Sequence, residues 1–255
     1  MTRLLQLSFV LLLAACASGG GSGVPQPEKA ADSHAGAGLY LIGVGRFSEA
    51  RERLERALEL DPQHPQATAG MGLVAEGVGD LDRAVEYHRA AVGLVEEAGS
   101  DQGRGPILNN LGRVLCRLDQ VDEALQELES AAGITGYPSR HVPLTNAARC
   151  ALGAGRLEEA GEFVDSALAH VQEFAPALLV RAELRFEQER FAAAAEDLDR
   201  VRELDRSPRS LYFSARVAEE LGQSEAAEAF SDELSERFPQ SDYVGRLKAN
   251  EGGTP

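Results

Sequence analysis

The chain has 255 residues, with 41 Asp and Glu against 25 Lys and Arg and a net charge of −16. That acidity excludes a general nucleic-acid binder, which needs a basic surface, and an apolar fraction of 44% excludes global disorder. Aromatic residues at 5%, no Trp and three Cys argue against an all-β fold or a disulfide scaffold and for closely packed helices.

The first segment is an address. Arg3 gives a positive start, and Leu4 to Ala15 is an apolar run too short to span a bilayer. The run ends Leu13-Ala14-Ala15-Cys16, which resembles a bacterial lipobox. The resemblance implies that residues 1–15 are a cleaved signal peptide and that Cys16 is lipidated. An ordinary signal peptide with a chance cysteine is the plainer alternative. Ala17, standing where Asp would signal inner-membrane retention, implies an outer-membrane anchor facing the periplasm of a Gram-negative cell. Several acyl chains on one residue anchor stably where one would not. Residues 16–30, rich in Gly, Ser and Pro, read as a flexible tether. No later segment reaches 18 uncharged apolar residues, so no membrane span is expected.

The body repeats. Ala50, Ala84, Ala124, Ala160, Ala194 and Ala227 recur at spacings of 34, 40, 36, 34 and 33. Twelve residues before each stands a small residue: Gly38, Gly72, Gly112, Ala148, Ala182 and Ala215. Seven residues after stand Ala57, Ala91, Ala131, Ala167, Val201 and Leu234. Gly45, Gly79, Gly155 and Gly222 lie five residues before their alanines, where a glycine supports a left-handed helix cap. Pro62 and Pro239 close the first and last units. This register resembles the tetratricopeptide repeat, a helix–turn–helix unit of about 34 residues. The small residues let helix A and helix B of each unit approach, and let helix B meet the next helix A.

Six units fit residues 31–241: 31–64, 65–98, 105–138, 141–174, 175–208 and 208–241, with a tail at 242–255. The excess between Glu97 and Gly105 reads as a loop insertion or an extended helix. The resemblance implies an all-α, right-handed superhelical solenoid whose concave face is lined by the A helices and binds peptides or protein segments.

A narrower resemblance rests on Asn109-Asn110-Leu111-Gly112 in unit three, Tyr137-Pro138 at its close, Asn146-Ala147-Ala148-Arg149-Cys150 in unit four, and Phe238-Pro239-Gln240-Ser241 near the end. These are similar to the type IV pilus biogenesis/stability lipoproteins, the PilF/PilW pilotin family. The resemblance implies an accessory factor that helps the outer-membrane secretin of the pilus assemble, with the secretin subunit as protein partner. The other candidate is a general periplasmic scaffold in another envelope complex.

Groove-facing positions recur on the A helices. In the first two units they are Ala35, Leu39, Ile42, Ala69 and Leu73, an apolar wall with Tyr40 beside it. In the later units they include Asn109, Arg113, Arg149, Leu179, Glu183, Phe186, Tyr212 and Arg216. The apolar half, near the tether, is the expected secretin-binding surface. Leu39, Ile42 and Leu73 could equally pack one A helix on the next, and the arginines could be solvated or paired with local glutamates. The two-carboxylate clamp of chaperone-binding repeats needs groove lysines, and this chain has only Lys29 and Lys248.

Cys116 and Cys150 sit on neighbouring A helices at nearly matching places, and export to an oxidising periplasm permits a disulfide between them. Two buried free thiols are the alternative. The histidines His34, His64, His88, His141 and His170 are scattered, mostly at helix ends or outer faces, and no HExxH, GxSxG, P-loop or CxxC pattern occurs. The expectation is therefore no enzyme activity, cofactor, metal or small-molecule substrate, and a monomer. The six A helices together are near neutral, so the acidity lies on the B helices, linkers and tails.

Overall fold

The computed structural model describes residues 27–251, so Cys16, the segment before it and residues 17–26 and 252–255 lie outside the described residues. Thirteen helices and no strand occur among the described residues. They form six A–B hairpins: α1 (Pro27–Gly43) with α2 (Phe47–Leu60), α3 (Pro65–Gly77) with α4 (Leu81–Glu97), and α5 (Arg104–Arg117) with α6 (Val121–Gly133). Then come α7 (His141–Gly153) with α8 (Leu157–His170), α9 (Ala175–Glu187) with α10 (Phe191–Leu204), and α11 (Pro208–Glu220) with α12 (Ser224–Arg237). A final helix, α13 (Asp242–Glu251), follows. No helix among the described residues is long and apolar enough to cross a membrane.

Each A helix packs on its own B helix, on the preceding B helix where there is one, and on the next A helix, whereas the backbones of successive B helices stay apart, with a side-chain pair such as Arg89–Glu123 between them. The A helices therefore lie on the inside of the curve. The hairpins are set by the small-residue register. Five of the six recurring alanines are wholly buried, as are Ala57, Ala91, Ala131, Ala167, Val201 and Leu234. A Cβ on Gly38 would come within 2.6 Å of the Leu54 side chain, and one on Gly112 within 2.6 Å of Leu128. These glycines are thus required by the helix–helix distance.

Two boundaries differ from those read in the sequence. Helix α1 starts at Pro27, four residues inside the segment read as tether, with Pro at its first turn and Glu28 favourable to its dipole. Residues 242–251 of the tail form α13, which buries Val244 and Leu247 against the last hairpin and closes the end of the core. The excess around 97–105 is both extension and loop, because α4 has 17 residues where α2 has 14 and a turn follows.

Every A helix ends in a residue of positive φ five positions before its alanine. Gly45, Gly79, Gly155 and Gly222 do this with φ of 76°, 85°, 73° and 70°; Asp119 and Glu189 do it with 60° and 57°. The backbone amide after the cap returns to a carbonyl in the last turn of helix A, as Arg190 N does to Arg185 O at 2.8 Å. The cap is a property of the fold, and two units carry it without glycine, Asp119 tolerating it better than Glu189.

His88 departs from the expected outer face. It stands four residues after its alanine, where Leu54 and Leu128 stand in their units, and it is wholly buried. Its ring lies 2.7 Å from where a Cβ on Gly72 would be, and neither ring nitrogen has a hydrogen-bond partner. Burial pushes its pKa down to about 4, with Glu76 opposing and Arg113 assisting. Asp197, buried on α10, is by contrast compensated: it accepts from Arg181 at 2.8 and 2.9 Å and from Arg185 at 2.7 Å, both on α9.

Cys116 on α5 and Cys150 on α7 are joined by a disulfide, with Cα atoms 5.8 Å apart. It links consecutive A helices across one repeat.

Three outcomes are expected. Glu189→Gly should raise stability by about 1 kcal/mol and Gly155→Ala lower it by a similar amount, read as shifts in the urea midpoint. Folded His88 resists the proton that the unfolded chain takes up near pH 6.5, so stability falls as pH drops from about 6.5 to about 4, by about 3 kcal/mol from this group. His88→Leu should remove that part of the pH slope, and urea titrations across the range would show it. Thiol titration of unfolded, non-reduced protein should find Cys116 and Cys150 unreactive, and their joint replacement by Ser should cost about 4 kcal/mol for the 34-residue separation.

Candidate protein-binding groove

The inner face is organised by one row of side chains, eleven residues before each recurring alanine. In chain order the row reads Leu39, Leu73, Arg113, Arg149, Glu183 and Arg216. Four residues earlier on the same helices run Ala35, Ala69, Asn109, Thr145, Leu179 and Tyr212. These spacings lie on one face of a helix. The face changes character from one end to the other.

At the first two repeats it is apolar. Ala35 and Ala69 are buried, Ile42 and Leu73 are half-buried, Leu39 is 36% exposed and Tyr40 is 70% exposed. Leu39 also packs on the adjacent A helix, since a Cβ on Gly70 would stand 3.4 Å from its branch. Its outer side nonetheless remains open. The start of the groove is pinned by His64, which accepts from Ala67 N at the head of α3 and lies 3.1 Å from Asp32 of α1.

At mid-groove the polar side chains satisfy one another. The Asn146 amide donates to the Asn109 side-chain oxygen at 2.8 Å, joining α7 to α5. Arg113 forms a two-pronged pair with Glu76 of the preceding A helix, one arm at 2.8 Å, and Arg117 reaches the same carboxylate at 3.2 Å. Arg113 is therefore one of the arginines paired with a local glutamate.

At the last repeats the groove holds an aromatic and arginine cluster. Phe186 and Phe213 meet edge to face at 5.9 Å between centroids, Phe213 meets Tyr212 at 5.1 Å, and Tyr212 meets Tyr243 of α13 at 5.2 Å. Arg216 lies 5.4 Å from the Phe186 centroid and pairs with Glu219 at 3.1 Å and Glu220 at 3.8 Å. Arg246 of α13 lies over both tyrosine rings, at 5.2 and 5.3 Å. Glu183 is 4% exposed and pairs with Arg209 through one oxygen. Burial raises its carboxyl above the usual range, and the Arg209 charge opposes this. Leu179 belongs to the core.

The sequence reading named Arg149, Glu183, Phe186, Tyr212 and Arg216 as groove residues, and the structure brings all five to this end. It did not name Arg209, Phe213 or Arg246. Arg209 sits in the first turn of α11 just after Pro208, and Arg246 follows Tyr243 by one helical turn, a spacing that would have placed them together had residues 242–251 been read as a helix.

The tetratricopeptide repeat model matches residues 36–102 and 179–242. The type IV pilus assembly protein PilF of Pseudomonas aeruginosa is 25% identical over 215 residues, spanning 84% of this chain and 83% of its own. The solved structure of Pseudomonas aeruginosa PilF superposes with a TM-score of 0.72 at 24% identity, covering 88% of this chain and 99% of its own. PilW, described as a widely conserved type IV pilus biogenesis factor, superposes with a TM-score of 0.72 at 21% identity, covering 85% of this chain and 97% of its own. Cut9, solved with Hcn1 as a tetramer of the APC/C, reaches 0.72 at 19% identity over 88% of this chain and 42% of that chain. The repeat model thus covers over half of the chain, at both ends of the six-hairpin array described above, and the chain belongs to the tetratricopeptide repeat family.

Proposed function

We propose that the chain is an outer-membrane lipoprotein that assists assembly of the type IV pilus secretin, taking a segment of the secretin into the groove of its A helices. The observation that carries this reading is the similarity to PilF, which runs through 84% of the chain rather than through one or two repeats. Two features of this chain support it. Cys16 ends a lipobox-like Leu-Ala-Ala-Cys run and would hold the array at the inner leaflet of the outer membrane. Leu39 and Tyr40 then stand exposed on the first A helix, at the end of the array closest to the anchor. An apolar strip at that place suits the apolar side of a partner helix or extended segment.

Deletion of the gene should reduce secretin multimers in outer-membrane fractions and abolish twitching, and the unaltered gene should restore both. Complementation with Leu39→Asp and Leu73→Asp together should fail although circular dichroism of the purified variant keeps its helical signal. Complementation with Cys16→Ser should leave the protein soluble and mislocalised. Unchanged multimers on deletion would instead favour a scaffold in another envelope complex.

A further inference from the structure

Arg149 stands apart from the other arginines of the groove row. Arg113 has Glu76 and Arg216 has Glu219 and Glu220, but among the described residues no carboxylate lies within salt-bridge distance of Arg149. The reason is in the repeat register. The residue that neutralises Arg113 lies on the preceding A helix, eight residues before that repeat's alanine, and the matching residue carries the Phe186 ring for Arg216. For Arg149 the matching residue is Cys116, which is committed to the disulfide. Glu183, on the following helix, gives one oxygen to Arg209.

Three neighbouring residues keep a polar atom unpartnered. Arg149 Nε, Arg209 Nε and Glu183 Oε1 are all buried without a hydrogen-bond partner. Arg149, Arg209 and Glu183 line an open pocket of about 420 Å³ built by three successive A helices and α13, with Leu157 and Phe213 as apolar walls and Arg246 at its side. Burial, and then the charge of Arg209, hold the Arg149 guanidinium below its usual range. A half-buried cation without a counter-ion is costly, and an anion that enters beside it removes that cost.

We propose that this pocket binds a single carboxylate of a protein partner, on a residue flanked by an apolar or aromatic side chain. The charge count selects the ligand. Arg149, Arg209 and Arg246 against Glu183 and Glu187 leave one positive charge, which matches one carboxylate. A phosphate ester carries nearly two negative charges and would meet both glutamates. The apolar walls and the tyrosine–arginine stack suit a peptide side chain next to the acid. The proposal rests on the groove reading only in taking a peptide as the ligand; it does not depend on which envelope machine supplies it.

The test is a randomised heptapeptide library presented to the full chain, in one set with free and in another with amidated C-termini. Peptides carrying Asp or Glu beside an apolar residue should be enriched. Enrichment in the amidated set identifies a side-chain carboxylate, and enrichment confined to the free set identifies a chain terminus. Recovered peptides should bind at least about tenfold more weakly to Arg149→Gln. The exposed Arg246→Ala change, which leaves the core intact, should also weaken them, and their Asn or Gln counterparts should not bind. Absence of acidic enrichment, or acidic peptides held equally by both variants, would overturn the proposal. Neither result would bear on the secretin reading, which the Leu39 and Leu73 changes test at the other end of the groove.

Discussion

The short distance between helices A and B of each hairpin is the constraint on which the molecule depends. It is enforced by a residue with little or no side chain at two facing points of every unit. Gly38 and Gly112 have no room for a methyl group, and Ala50 and Ala124 opposite them are wholly buried. Once that distance is fixed, the third small position lets each B helix meet the next A helix, and the stack follows repeat by repeat. The curvature follows too, because A-helix backbones approach one another across repeats while B-helix backbones do not. The groove is therefore a consequence of backbone packing, and its side chains are free to vary from unit to unit.

That freedom is used in a graded way. The row that begins with Leu39 and Leu73 passes through Arg113 and Arg149 to Glu183 and Arg216. At mid-groove the polar members are consumed by neighbours, in the Asn109–Asn146 and Arg113–Glu76 contacts, and the disulfide ties the same two helices that carry the asparagines. These contacts cross-link consecutive A helices at mid-groove. A rigid centre keeps the two ends at a fixed separation, so a ligand engaging either end does not have to order the array first.

Most of the fold was legible because its determinants are local and periodic. The alanine register, the cap glycines and the closing prolines each sit at fixed offsets, and an offset needs no knowledge of the tertiary structure. The exceptions are instructive. Asp119 and Glu189 occupy cap positions without being glycines, so the cap was visible at only four units. His88 fills a leucine position, and residue type alone put it outside. The helix at 242–251 owes its place to closing the end of the core, which no periodicity announces, and with it went Arg246 and the pocket it helps to build. For the groove itself the sequence grouped the candidate residues on one face of the A helices but could not rank them. Arg113, Arg149 and Arg216 hold the same register position, and what separates them is the residue that the neighbouring helices offer.

That separation shows how a disulfide can act on charge as well as on stability. A carboxylate at the place of Cys116 would neutralise Arg149 as Glu76 neutralises Arg113, and the last third of the groove would then be electrically closed. With sulfur there, bonded to the very residue that follows Arg149, the guanidinium is fixed on a braced helix and left without a counter-ion. In a chain of net charge −16 most of the surface repels acidic segments. One arginine without a counter-ion on the near-neutral inner face is then a local exception to that field.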